Sequence, residues 1–177
     1  MGGKEPYGAS RGWTMRRAAI VCPLRTPVGA FGGALRTVPV EELGATVVRA
    51  ILQRTGLDPA RVDDAVFAQG YPSGETPCVG RWLALHAGLP IEVPGMQLDR
   101  RCGGGLQAVL TAAAMIQSGA ADVVLAGGVE SMSNVEYYTV HERWGARMGA
   151  TPLYDRLQPS RTVHAPRAGY LVPAAQA

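Results

Sequence analysis

The sequence predicts an α/β fold built on a mainly parallel sheet, and three observations carry that prediction. Short apolar runs alternate with stretches whose apolar residues recur at helical spacing, the pattern of strands joined by crossover helices. Glycines and prolines punctuate the chain between the two kinds of segment. Glycine clusters, Gly103-Gly104-Gly105 and Gly127-Gly128, follow two of the apolar runs. In parallel sheets the loops beyond the carboxyl ends of the strands are where ligands bind.

The elements follow in chain order. Residues 1–14 have neither the apolar core of a signal peptide nor an Arg-rich amphipathic pattern, and read as a disordered extension. Residues 18–22 read as a first strand, with Cys22 facing a core. They lead into Arg25-Thr-Pro-Val-Gly-Ala-Phe-Gly-Gly-Ala-Leu35, where three glycines and a proline enforce an irregular loop. From 39 to 55 a helix is predicted by the spacing of Leu43, Val47, Ala50, Ile51 and Arg54. Its end signals agree: Pro39 near the first position, Glu41 and Glu42 in the first turn, Arg54 in the last, Gly56 as terminator.

A second strand spans 62–68 and is followed by a turn-rich loop at 71–76 and a short helix over 77–85. His86, at its end, reads as a surface or capping histidine. Gly88-Leu-Pro90 breaks the helix, and 93–98 forms a third strand. Leu106, Val109, Leu110, Ala113 and Gln117 then mark one face of a helix starting near Cys102, and 122–126 supplies a fourth strand. The order is βαβαβαβ. The helix over 106–116 is apolar nearly all round, with only Gln107 and Thr111 polar, so it calls for cover on both sides. Nothing after residue 134 has the strength to build a second sheet. Residues 136–157 are polar and mixed, with room for a short helix, and 159–177, with three prolines and no apolar period, look extended or disordered.

Composition narrows the function classes. A chain of 177 residues, 47% hydrophobic and 18% charged, is long enough for one sizeable core and short for two. Its formal net charge of +3 is spread without a basic face interleaved with aromatics, so nucleic acid is not implied, although the balance suits a phosphorylated substrate. Three cysteines without a CxxC pair argue against a disulfide framework or a zinc site and fit the reducing cytoplasm. No apolar run reaches the roughly 20 residues of a membrane span.

The chemistry concentrates in Gln-Leu-Asp-Arg-Arg-Cys-Gly-Gly-Gly-Leu-Gln-Ala, residues 97–108. A cysteine at a helix start meets unpaired amides and the positive end of the helix dipole, which favour thiolate over thiol, and Arg100 and Arg101 add positive charge. Cys102 is therefore the candidate nucleophile. Glycine costs up to about 1 kcal/mol relative to alanine in a helix, so three in a row imply an overriding need. Gly103, Gly104 and Gly105 leave the sulfur open to substrate and let backbone N–H groups face an oxyanion. Two other readings stand beside this one. Cys102 is also consistent with a buried structural cysteine before a glycine turn. Gly103-x-Gly105-x-x-Ala108 also fits a dinucleotide fingerprint, but two βα units already precede it and Asp122 opens its strand rather than closing it. Cys78 sits near a helix start too, yet no glycines follow it to admit a substrate.

Taken together, Arg25-Thr-Pro-x-Gly-x-Phe-Gly-Gly-x-Leu35, Leu98-Asp-Arg-Arg-Cys102-Gly-x-Gly-Leu-Gln-Ala108 and Gly127-Gly-x-Glu-Ser-Met-Ser133 strongly resemble the thiolase family, in order and in spacing. The resemblance runs from about Met15 to Leu157. It implies that residues 15–134 are a thiolase N-terminal α/β domain and that 135–177 begin a coenzyme A-holding loop domain, truncated and poorly ordered from about 158. Two such halves stack in the family with the nucleophile's helix in the middle layer, so that helix is expected to be buried. The resemblance further implies an acyl-accepting Cys102 whose backbone N–H contributes to an oxyanion hole, and a site wall at Gly127, Gly128, Ser131 and Met132. No metal and no covalently bound cofactor are implied; coenzyme A and acyl-CoA enter as substrates, and the full-length family is expected to form homo-oligomers.

Two positions depart from the family, which usually has Asn at Asp99 and Ser at Gly104. A carboxylate three residues from the thiol opposes thiolate formation, and the adjacent arginines offset it. The family's Gly-His-Pro, Cys-x-Gly-Gly and Asn-Glu motifs are missing from these residues, and His86, His141 and His164 match none of their contexts. The expected function is thus acyl transfer through a cysteine thioester, in a chain truncated and inactive by itself. The alternative is a non-catalytic remnant serving as an interaction module.

Overall fold

The computed structural model describes residues 15–140 and 142–158. The expectations for residues 1–14, for His141 and His164, and for the chain from 159 onward lie outside the described residues.

Five main elements form in the order α1 (Val40–Thr55), β1 (Asp64–Ala68), α2 (Val79–His86), β2 (Gly95–Leu98) and α3 (Gly104–Ser118), and β3 (Val124–Gly128) completes the sheet. The three strands are parallel in the order β2-β1-β3, with Ala65 opposite both Gly95 and Leu125. β1 is central and buried at every residue, as expected of a parallel strand covered on both faces. Alternation along it divides the core. Ala65 and Phe67 join Val48 of α1, Val79 and Leu83 of α2, and Leu125 of β3 in one cluster, whereas Ala68 turns to Gly104 of α3. α1 and α2 therefore cover one face and α3 the other. Complete burial of Leu83, Val48, Val66 and Val79 contributes about 1.5–3 kcal/mol each for the larger side chains.

Helix ends follow the local signals. Pro39 precedes α1, and Gly56, at φ 65°, closes it by donating its N–H to the Leu52 carbonyl. α2 can lie directly on the sheet because Gly80 has no side chain; a Cβ there would stand 2.6 Å from the Ala65 carbonyl oxygen.

Three expectations are corrected. Residues 18–22 belong to neither sheet: Ile20 and Val21 are 78% and 71% exposed, and Cys22 is half-buried at φ 52° instead of facing a core. The segment is anchored beside β3 by Arg16, which bonds the Ala121 carbonyl and pairs with Asp122, but it makes no ladder with that strand. An apolar run becomes a strand only where a neighbour takes its amides and carbonyls. Second, α3 is not covered on both sides: its face on the sheet is Gly104, Ala108 and Ala112, whereas Leu106 and Leu110 are 67% and 54% exposed. Small residues let the helix approach the strands, and the large ones point away. The expected burial of the whole helix therefore does not hold within these residues. Finally, residues 136–157 hold a short antiparallel pair, β4 (Tyr137–Tyr138) with β5 (Tyr154–Asp155), in which the Tyr138 and Tyr154 rings meet at a tilt with centroids 5.8 Å apart and Arg156 pairs with Glu136. A single 3₁₀ turn, Glu142–Trp144, is the only helical piece described there.

Candidate active site

The carboxyl ends of β1, β2 and β3 converge on one edge of the sheet, and Cys102 lies there. β2 runs out through Asp99 and Arg100 into a 3₁₀ turn, Arg101–Gly103, and α3 begins at Gly104. The turn is closed by Gly103 and Gly104 N–H groups donating to the Arg100 and Arg101 carbonyls. Cys102 is exposed and its thiol is free. The reading of a buried structural cysteine is thereby removed. The helix starts two residues after the cysteine, so Cys102 directly precedes the N-cap residue of α3, Gly103.

The three glycines divide in role. No atom lies within 4 Å of a Cβ built at Gly105, and at Gly103 only the Arg100 side chain comes as near as 3.9 Å, so this side of the cysteine is open. Gly104 is buried, and a Cβ there would stand 2.7 Å from the Ala68 Cβ. It serves close packing of α3 on β1. Gly128 meets the same turn from β3, with its would-be Cβ 3.2 Å from the Gly105 Cα. Gly127 faces the other way, against the Phe67 ring. Ser131 caps the next turn, accepting from Asn134 Nδ2 at 2.8 Å, and Met132 is 39% exposed. That turn docks on the Arg25–Leu35 loop: the Gly32 N–H donates to Ser133 Oγ at 2.9 Å, and Asn134 Nδ2 donates to the Val38 carbonyl at 3.1 Å. The third of the sequence motifs thus touches both of the others.

The charges are arranged around the turn. Arg100 reaches along α3 to bond Gln107 Oε1. Arg101 turns back: its N–H donates to Asp99 Oδ1 at 3.0 Å, its guanidinium lies 3.1 Å from Asp99 Oδ2 and bonds the Gly70 carbonyl, and it stands 5.9 Å from the centre of the Tyr71 ring. The Asp99 carboxylate is therefore neutralised by the residue beside the cysteine, which answers the departure from the family's Asn.

Glu130 carries a contact that sequence reasoning missed. The motif contains it, but no role followed from its position. Its carboxylate accepts from the Gly70 N–H at 2.7 Å and the Tyr71 N–H at 3.3 Å. Loss of water around the carboxyl pushes its pKa above the usual value; the two amides pull against that, Asp99 adds to it, and Arg101 opposes it. Gln69, 3% exposed, donates its side-chain amide to the Tyr71 carbonyl and holds the same loop.

Other sequence candidates fall elsewhere. Cys78 is exposed at the start of α2 at φ 57°, with its thiol on the Gly95 carbonyl at 3.2 Å. His86 ends α2 against the Trp82 ring, with centroids 5.5 Å apart. Among the described residues no group of histidine, cysteine and carboxylate side chains could hold a metal ion, and no helix is long and apolar enough to cross a membrane.

This sheet, with a free cysteine ahead of a glycine-opened helix, defines an α/β domain of thiolase type. The family model described as "Thiolase, N-terminal domain" matches residues 18–171, and the chain belongs to the thiolase family. It is 42% identical over 143 residues to the acetyl-CoA acetyltransferase of Pseudomonas aeruginosa and 41% identical over 143 residues to that of Cupriavidus necator. Each alignment takes in 81% of this chain and 36% of the relative, so the chain spans about a third of the length of the curated relatives it matches. Among solved structures it is similar to the Bacillus anthracis acetyl-CoA acetyltransferase, with a TM-score of 0.79 and 34% identity over 89% of this chain and 39% of that one.

Proposed function

We propose that this chain carries the nucleophile of an acetyl-CoA acyltransferase, with Cys102 as the acyl acceptor. The Cys102 thiolate attacks the thioester carbonyl of acyl-CoA. The tetrahedral oxyanion faces the Cys102 backbone N–H; the bond from carbonyl carbon to the coenzyme A sulfur then breaks, leaving a Cys102 thioester and coenzyme A thiolate. A second nucleophile, coenzyme A or an acetyl-CoA carbanion, resolves the acyl-enzyme. The observation that carries this reading is the exposed Cys102 beside the uncovered Gly103 and Gly105 at the carboxyl edge of a parallel sheet. The names of the relatives support acetyl-CoA as the substrate class. The cytoplasm and assembly into homo-oligomers are part of the same proposal.

Claisen chemistry also needs a base and enolate donors, which contribute typically 10²–10⁴-fold or more each. The family settings for those groups are not among these 177 residues. The chain by itself is therefore proposed to react stoichiometrically at Cys102 and not to cleave acetoacetyl-CoA repeatedly. Mass spectrometry after mixing with acetyl-CoA tests the assignment: an acetyl adduct on Cys102, lost in Cys102→Ala, is expected. No adduct, even with a thiolase C-terminal half supplied, sinks it. Multiple turnovers by the isolated chain, abolished in Cys102→Ala, overturn the claim of incompleteness.

A second reading, a non-catalytic interaction module, draws on the bare face of α3, where Leu106 and Leu110 are exposed. Acylation of Cys102 decides against it.

A further inference from the structure

The exits of all three strands meet at one residue without a side chain, Gly70. From the β3 side, the two oxygens of the Glu130 carboxylate take the successive amides of Gly70 and Tyr71. From the β2 side, the Arg101 guanidinium takes the Gly70 carbonyl. The fit is close: a Cβ at Gly70 would lie 3.0 Å from Glu130 Oε2 and 3.7 Å from the Arg101 Cα.

What this clasp holds is unusual. Arg101 is in the left-handed region at φ 47°, a conformation that costs a non-glycine residue of order 1–2 kcal/mol and persists where surrounding contacts impose it. Those contacts are its N–H and guanidinium on Asp99, its guanidinium on the Gly70 carbonyl, and its approach to the Tyr71 ring. Two of them, Gly70 and Tyr71, are the residues whose amides Glu130 holds. Arg101 directly precedes Cys102, so its backbone angles set the direction in which the cysteine leaves β2 and enters the turn opening α3.

We propose that Glu130 is a positioning residue for Cys102, acting through Gly70 and Tyr71 on the left-handed Arg101. The proposal rests on the reading of Cys102 as the acyl acceptor. A carboxylate suits the task because it offers an acceptor to each of two adjacent amides; a glutamine offers one. The charged groups facing it, Asp99 from the β2 exit and Arg101 beside Cys102, oppose each other and pair together. Glu130 itself makes no attack and moves no proton; it keeps the thiol aimed at the open side of the turn.

The experiment separates aim from access in the full chain. Cys102 is acylated with acetyl-CoA, where attack must be directed, and separately alkylated with iodoacetamide, where exposure is enough; peptide mapping reads each cysteine, with Cys78 as internal reference. Glu130→Ala is expected to slow Cys102 acylation by roughly tenfold, the scale of losing a hydrogen bond to a charged group, and to leave alkylation of Cys102 within about twofold of wild type. Glu130→Gln, which keeps one acceptor, is expected to restore part of the acylation rate. Where the alanine variant does not fold, the glutamine variant carries the comparison against wild type. Equal acylation of wild type and the variants overturns the role of Glu130 and leaves the Cys102 assignment intact. Parallel loss in both reactions also overturns it, since that is a change in folding or access. Absence of acylation in wild type overturns the Cys102 reading, and this inference with it.

Discussion

Substituting Gly104 by alanine tests how α3 is seated. The added Cβ would stand 2.7 Å from the Ala68 Cβ, where ordinary contact begins at 3.4 Å. Neither partner can yield by rotating, because each is a methyl fixed to backbone, and Ala68 belongs to the central strand with neighbours on both sides. The start of α3 must therefore lift. Overpacking of this kind costs about 1–3 kcal/mol, and the better helix propensity of alanine returns up to about 0.5–1 kcal/mol, less in a first turn. The expected net loss is about 1–2 kcal/mol. Ala68→Gly removes the opposing methyl, so the double variant should recover most of the strain, with a coupling of about 1–2 kcal/mol in the thermodynamic cycle. Urea unfolding followed by circular dichroism measures all four proteins. Gly104→Ala as stable as wild type, or a double variant equal to the sum of the singles, would refute the reasoning. The pair also accounts for the departure from the family at this position: a serine at 104 has no room beside an alanine at 68.

Two further outcomes follow from particular contacts. Asp63, exposed, accepts the Val123 and Asp122 amides at 2.9 and 2.7 Å, and these hydrogen bonds, the Val123 one foremost, hold its carboxyl below the ordinary 3.8. A lowered folded value stabilises the fold above the unfolded pKa and is lost as the pH falls through the folded one; Asp63→Ala should cost about 1 kcal/mol near neutrality after solvent screening and flatten this part of the acid limb of the stability curve, as read by thermal melts across pH. On α3, Leu106→Gln should lower binding of a hydrophobic dye while changing stability by no more than about 0.5 kcal/mol, since the side chain is 67% exposed; undiminished dye binding would place the apolar surface elsewhere.

The sequence was most legible where a signal is local. Pro39 and Gly56 bound α1 because a ring without an N–H and a residue free to take positive φ act within one turn. The exposure of Cys102 was legible for the same reason: the glycines that leave it open are its chain neighbours. Residues 18–22 were misread because an apolar run announces only that it can form a strand, and a ladder depends on what lies beside it. The cover of α3 was misread by a related error. A helix apolar nearly all round announced burial on both sides, but within these residues only its smallest side chains are covered, and Gly104, Ala108 and Ala112 bring the backbone close to the sheet, Gly104 against Ala68.

Glu130 shows the limit most clearly. Within its own motif it is one polar residue after two glycines, and nothing in its neighbours distinguishes an exposed carboxylate from a clasp. Its meaning comes from Gly70, 60 residues away in sequence, whose amide it holds and whose carbonyl is held by Arg101. The parallel sheet creates that meeting, since strands in the order β2-β1-β3 deliver the loops after Ala68, Leu98 and Gly128 to the same edge. A motif read alone therefore finds a candidate such as Cys102, whose exposure is set by its neighbours in the chain. Contacts such as those of Glu130 emerge only when the strand order is known, because their partners lie beyond the other strands.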